Sequence, residues 1–292
     1  MRFSATKTAA GALLGVLLLS IPAAAQEGQR AAPSKLYNTA KQKLLDGKQI
    51  NGHTISRFDP KAYCEAAPHY DFTWFEMQHS TLSWADIEKM VATCPRVGAT
   101  PMVRIHDELE SSLQHAADIG LLGVVMPTVD TPEKAMQTVR YFKYPPEGRR
   151  SQGGGQAGRI WGVNGINYRQ TVNENMLLVV MIETPTGVAN AYEIARVPGV
   201  DVVINGTSDM TNFSGFPSNS PRYQQLLTDT RDAVIKAGKF FGTADAQYRS
   251  GHPLSKDVKF TQHGPSNDGW EPPAAPGGGR GASKKGGGGN NQ

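Results

Sequence analysis

A parallel α/β barrel of eight strands, the (β/α)8 or TIM barrel, is the fold class the sequence predicts, and three observations predict it. Short apolar runs alternate with helical segments from residue 36 onward, each strand–helix pair takes about thirty residues, and the runs count to eight. Consecutive parallel strands need a return connection, and a helix makes it while covering the outer face of the sheet. The alternative is an open or imperfect barrel with a degenerate last βα unit, because no helical pattern is legible between strands seven and eight.

Neither end reads as part of that fold. Arg2 and Lys7 flank the start of the chain, an apolar run covers residues 9–21, and Ala23-Ala24-Ala25 stand before Gln26. A basic start, a short apolar stretch and an Ala-x-Ala site read as a secretory signal, too short to span a bilayer. Residues 1–25 are therefore set apart from the fold. The mature chain is expected to be exported, periplasmic or extracellular, with no stable membrane insertion. Residues 269–292 are rich in Gly, Pro and Asn and bury too little apolar surface to offset chain entropy, so a disordered tail is expected. Residues 26–268 remain, roughly 240 in all, the usual size of one barrel. The formal charge of +4 comes with no basic stripe interleaved with aromatics, which argues against nucleic acid as a partner. The two cysteines, Cys64 and Cys94, read equally well as one bridge or as two buried thiols, and no Cys/His cluster supports structural zinc.

The elements follow in order. Residues 36–45 have helical spacing under the barrel, and residues 49–56 form the first strand. Asp59 caps a helix over residues 59–67, with Pro60 at its first turn. The aromatic run over residues 70–77 is strand two, leading into Gln78 and His79. Ser83 with Asp86 three residues on starts the next helix. Strand three covers residues 100–105 and carries Arg104 near its end. The following helix, 108–119, closes at Gly120. Strand four is residues 121–126, and Thr131-Pro132 opens a helix to residue 142. Periodicity then stops, so residues 143–170 are expected to be one long functional loop rich in Gly and Arg. Apolar runs 176–182 and 200–204 are strands five and six, with a helix over residues 187–196 between them. A long helix over residues 220–238, strand seven at 239–243 and a weak strand eight at 257–262 complete the count.

Strands five and six each deliver an acid at the carboxyl end, Glu183 and Asp209. In parallel α/β folds that end holds ligands. Two convergent carboxylates suit a hard divalent cation, Mg²⁺ or Mn²⁺, with Co²⁺ a further candidate. Either acid alone reads better as a helix cap or a turn former; the pair at equivalent positions favours the cation. His79 and Arg104 come to the same mouth, although each alone reads as a structural histidine or an ion-pair partner. Together they suit enolate chemistry on a 2-oxo acid. The cation chelates carboxylate and keto oxygens, the forked arginine stabilises the developing oxyanion, and the histidine relays a proton through water. Asp118, inside a helix, reads from its residues alone as solvated.

The order of His79, PMVRI with Arg104, YPPEGRRS, MIET with Glu183 and INGTSDM with Asp209 resembles the HpcH/HpaI class II pyruvate aldolases, over residues 35–245. The resemblance implies a TIM barrel, a divalent metal on Glu183 and Asp209, Arg104 at the enolate oxygen and His79 as catalytic histidine paired with Asp118. It also implies that the backbone around Gly206, Thr207 and Ser208 holds the pyruvate carboxylate, and that the enzyme is a homo-oligomer acting on a small 2-oxo acid and an aldehyde. Departures are visible at Glu76 and Gln78, where the family reads Asp-x-Glu-His. Gln78 can hydrogen-bond a water on the metal but cannot take its proton. Met181 stands where an amide is common. The expected activity is a metal-dependent carbon–carbon lyase cleaving or forming 4-hydroxy-2-oxo acids through a pyruvate enolate. The alternatives are a citrate lyase β-like acyl lyase and an exported binder of metal and oxo acid without turnover.

Overall fold

The structure, a computed structural model, describes residues 36–153, 155–163, 165–244 and 251–271. The signal reading of residues 1–25 and nearly all of the expected tail lie outside the described residues. Eight parallel strands close into one barrel in sequence order: β1 Ile50–Ile55, β2 Phe72–Glu76, β3 Thr100–Arg104, β4 Gly123–Met126, β5 Leu177–Ile182, β6 Val202–Asn205, β7 Phe240–Thr243 and β8 Val258–Thr261. Closure is made where β8 pairs with β1, with Ile50 beside Phe260. The weak eighth strand is therefore real, and its register shifts against β7 between Phe241 and Gly242.

Alternation along each strand splits the core in two. Ile50, Phe72, Trp74, Met102, Val179, Ile204 and Phe260 fill the barrel interior, with the Phe72 and Phe260 rings stacked 4.4 Å apart. Their neighbours, among them Phe75, Val103, Val180 and Val203, face outward to the helices. The short first helix, α1 (Thr39–Leu45), places Ala40 and Leu44 in the interior cluster and so stops the end of the barrel where strands begin. Polar contacts at the strand starts hold it there: Lys43 to Asp71 at 2.8 Å and Lys41 to Asp201 at 3.1 Å.

The outer helices begin as their capping residues dictate. In α2 (Pro60–Ala66) the Asp59 side chain accepts from the Ala62 amide. In α3 (Trp84–Thr93) Ser83 and Asp86 form a reciprocal capping box. The two are tied by a Cys64–Cys94 disulfide with Cα atoms 5.8 Å apart, which resolves the even reading of the cysteines. α4 (Glu110–Asp118) and α5 (Pro132–Phe142) follow β3 and β4. The expectation of one loop over residues 143–170 needs correction, because α6 (Gln156–Trp161) and α7 (Gly165–Asn175) lie there. α6 is only six residues long and buries Ala157, Ile160 and Trp161, too short a run to stand out among the glycines around it, whereas α7 buries a mixed set that includes Asn173 and Asn175. Two short helices, α8 (Pro185–Ala189) and α9 (Ala191–Arg196), follow β5. A short helix that the sequence left as a turn, α10 (Thr207–Ser214), begins directly after β6, and the long α11 (Pro221–Lys236) precedes β7.

Beyond β8 the described chain turns at His263 and Gly264 and runs along the outside of the barrel. Trp270, which the sequence assigned to the tail, stacks on His69 at 4.7 Å, and Asp268 pairs with His69 at 2.7 Å. Among the described residues no helix is long and apolar enough to cross a membrane.

Candidate active site at the barrel mouth

The carboxyl ends of the strands surround a cavity of about 210 Å³. His79 and Arg104 reach it from the ends of β2 and β3, and Gly206, Thr207, Ser208 and Asp209 from the start of α10. Three elements thus bring to one place His79, Arg104 and the segment from Gly206 to Asp209, which the sequence had set at strand ends.

Glu183 is the first residue after β5 and is only 1% exposed. Its Oε1 accepts two hydrogen bonds from Thr128, backbone N–H and hydroxyl, each at 2.7 Å. Thr128 can give both because its backbone is left-handed, φ 49°, a conformation that a β-branched residue adopts only under constraint. Oε2 is buried and has no partner among the described residues. It points to Gly206, where a Cβ would stand 2.3 Å from it, so the glycine leaves the room that this oxygen faces. Burial raises the Glu183 pKa above the ordinary carboxylate value; the Thr128 hydrogen bond opposes this and the nearby Asp209 charge adds to it. Asp209 sits in the first turn of α10. A buried carboxylate oxygen without a donor, with a second carboxylate close enough to disfavour its charge, is the donor set that a hard cation satisfies. Glu183 and Asp209 fit such an ion. No group of three or more acids, histidines or cysteines suited to a metal occurs among the described residues, so water and substrate oxygens would complete the shell.

Arg104 is held by Glu76, the last residue of β2 and its register partner. Nε and Nη2 lie 2.7 and 2.6 Å from Glu76 Oε2, Nη1 lies 3.8 Å from Met181 Sδ, and the guanidinium stands 5.6 Å from the Trp74 ring. The Trp74 indole N–H donates to the same Oε2 at 3.0 Å. Glu76 Oε1 accepts the His79 backbone N–H at 3.0 Å, and the Glu76 carbonyl accepts the Ser80 hydroxyl. One acid therefore fixes both the arginine and the turn that presents His79, and its longer side chain has a use here. Gln78 Oε1 is buried with no partner among the described residues.

Asp118 is elsewhere. It ends α4, which runs back from the mouth, so it lies where the chain re-enters the barrel through β4. There it pairs with Arg150 at 2.5 Å, beneath Tyr144. The pairing of Asp118 with His79 is not met within the chain, because a helix antiparallel to the strands carries its last residue to the opposite end. Thr128, Gln262 and His263 belong to the mouth or support it and were not singled out in the sequence. Their one signal was position, immediately after strands four and eight.

A family model described as HpcH/HpaI aldolase/citrate lyase matches residues 61–250. The chain belongs to the HpcH/HpaI aldolase/citrate lyase family. It is 29% identical to a 2-keto-3-deoxy-L-rhamnonate aldolase of Escherichia coli over 71% of this chain and 79% of that protein. It is 30% identical to a 2-dehydro-3,6-dideoxy-6-sulfogluconate aldolase of Pseudomonas putida over 59% of this chain and 68% of that one. Among solved structures, an HpcH/HpaI aldolase from Desulfitobacterium hafniense superposes with a TM-score of 0.70 at 26% identity, covering 76% of this chain and 88% of that one. Members of the HpcH/HpaI family are in general dependent on a divalent metal and act on small molecules.

Proposed function

We propose that this HpcH/HpaI member is a metal-dependent aldolase that makes and breaks the C3–C4 bond of 4-hydroxy-2-oxo acids through a pyruvate enolate. The observation that carries the reading is the buried, unpartnered Oε2 of Glu183 beside Gly206, with the Asp209 charge near enough to raise the Glu183 pKa. Glu183 and Asp209 would hold a divalent cation, which would supply Lewis-acid polarisation of the bound oxo acid. The chain's own groups do the rest. The start of α10, at Gly206, Thr207 and Ser208, turns the leading N–H groups of a helix towards the mouth, which suits the carboxylate. Arg104, held in a fixed orientation by Glu76, offers Nη1 to the oxygen that becomes negative as the enolate forms. His79 is exposed at the rim and carries the proton that leaves the C4 hydroxyl in cleavage or returns to it in synthesis.

Pyruvate in deuterated water with Mn²⁺ tests this directly through the methyl proton signal. The signal is expected to decay with the native protein, to persist in Glu183→Ala and to decay more slowly in His79→Ala. Metal-dependent pyruvate binding without decay would instead support a binder that has lost turnover.

The basic, apolar and Ala-x-Ala order of the first residues, together with the Cys64–Cys94 bridge, supports export to an oxidising compartment. Sequencing of the mature N-terminus should then begin at Gln26; an intact Met1 would refute cleavage.

A further inference from the structure

The glycine- and arginine-rich stretch after α5 lends no residue to the lining of the mouth. It carries α6 and α7 to the end of the barrel where the strands begin. There the Trp161 indole N–H holds α6 by donating to the Gly120 carbonyl at 2.9 Å. Tyr144 and residues of these two helices surround a cavity of about 420 Å³, which shares no lining residue with the mouth. That volume falls within the roughly 300–1,000 Å³ of small-molecule sites and exceeds what a bare ion needs.

Its charge is one-sided. Arg159 and Arg169 line it, and among the described lining residues there is no carboxylate. Two lining glycines let arginine forks come close. A Cβ on Gly155 would stand 2.8 Å from Arg159 Nη1, and one on Gly162 would stand 2.5 Å from Arg96 Nη1. Arg169 donates to Gln152 Oε1 at 3.2 Å, and none of the three arginines has a carboxylate partner among the described residues. Forked donors left unspent around one cavity match the oxygens of carboxylate and phosphate groups. A fourth guanidinium, that of Arg150, is fully buried 4.4 Å from the Tyr144 ring, and Asp118 meets its charge. That pair supports the cavity wall without cancelling the other three cations. Tyr168, also in the lining, is only 7% exposed, and no acceptor among the described residues takes its hydroxyl hydrogen. Burial raises its pKa, so the hydroxyl keeps that hydrogen and remains a donor. A buried donor without an acceptor costs free energy that a ligand oxygen would recover.

We propose that this cavity is a second ligand site, for a small organic molecule that carries two or more negative charges on carboxylate or phosphate groups. Arg96, Arg159 and Arg169 hold the charged groups, while the Gln152 amide and the Tyr168 hydroxyl donate to ligand oxygens. Titration calorimetry on the full chain in EDTA tests this, with glycerol 3-phosphate and tricarballylate as charged probes and glycerol as the neutral one. A charged probe is expected to bind and glycerol is not; the tighter of the two charged probes names the preferred group. Arg159→Ala combined with Arg169→Ala should weaken binding by about tenfold or more, and Tyr168→Phe by about threefold or more. Both arginines are exposed, so the fold persists without them. Arg104→Ala, which strips the mouth of its cation, should leave the affinity unchanged. Absence of heat with both charged probes, an affinity unaltered by the double arginine change or by Tyr168→Phe, or loss of binding in Arg104→Ala overturns the assignment. Metal and pyruvate are absent from the test, so its outcome is independent of the aldolase reading.

Discussion

Glu183 carries a carboxylate into a site where Thr128 satisfies one oxygen and nothing in the described chain satisfies the other. Its raised pKa means that the folded protein binds this proton more tightly than the unfolded chain does. The metal-free fold is therefore least burdened below the ordinary carboxylate range and loses stability as pH rises through the window up to the raised value. Glu183→Gln should accordingly stabilise the metal-free protein at neutral pH by on the order of 1 kcal/mol, with the gain vanishing in acid. Thermal melts in EDTA across that range check it; equal gains at all pH values would remove burial of charge as the cause. Arg104→Lys should lower pyruvate exchange by about 100-fold while the fold persists, since lysine lacks the fork that holds Glu76 and addresses the substrate at once. An unaltered rate would take Arg104 out of the chemistry. At this scale the placing of Glu183, Arg104 and Asp209 at or just beyond strand ends was legible, because a run of strand residues fixes where its end falls. Glu76 and Thr128 as supporting groups were not. Their roles come from which strands are neighbours and from a left-handed backbone at Thr128, and neither is written in local pattern.

Elements set the room that these side chains use. α10 starts at once after β6 because Gly206 permits close approach of the chain to Glu183. Gly206→Ala should therefore abolish tight Mn²⁺ binding, measured by titration calorimetry, with only a modest change in melting temperature. Retained affinity would show that Oε2 does not face the ion. The bridge between α2 and the end of α3 spans 30 residues of sequence, and a loop of that length is worth about 3–4 kcal/mol in restricting the unfolded chain. Cys64→Ser with Cys94→Ser should lower the melting point and leave the metal-free pKa behaviour of the mouth untouched. The capped helices α2, α3, α5 and α11 were legible from Asp59, Ser83, Thr131 and Ser220, whose side chains all accept from the first turn. α6 and α7 were not, since glycine and polar residues obscure their spacing. α10 was not, because Thr207 and Ser208 read as turn residues when the strand before them is the stronger signal.

For the whole molecule, eight strands in sequence order decide that residues far apart in the chain share one mouth, and the apolar count foretold this closure. The same topology explains why Asp118 lies apart from His79: each helix reverses the direction of its strand. It also gives His263, carried on the least regular strand, a place in the mouth that a weak six-residue pattern could not announce. The central claim is that Glu183 and Asp209 hold one cation against a bound oxo acid. Crystals grown with Mn²⁺ and pyruvate, measured at a wavelength where manganese scatters anomalously, address it most directly. The account predicts an anomalous peak within coordination distance of Glu183 Oε2 and an Asp209 oxygen, with pyruvate beside Arg104; a peak elsewhere, or the two carboxylates turned to separate partners, would contradict it.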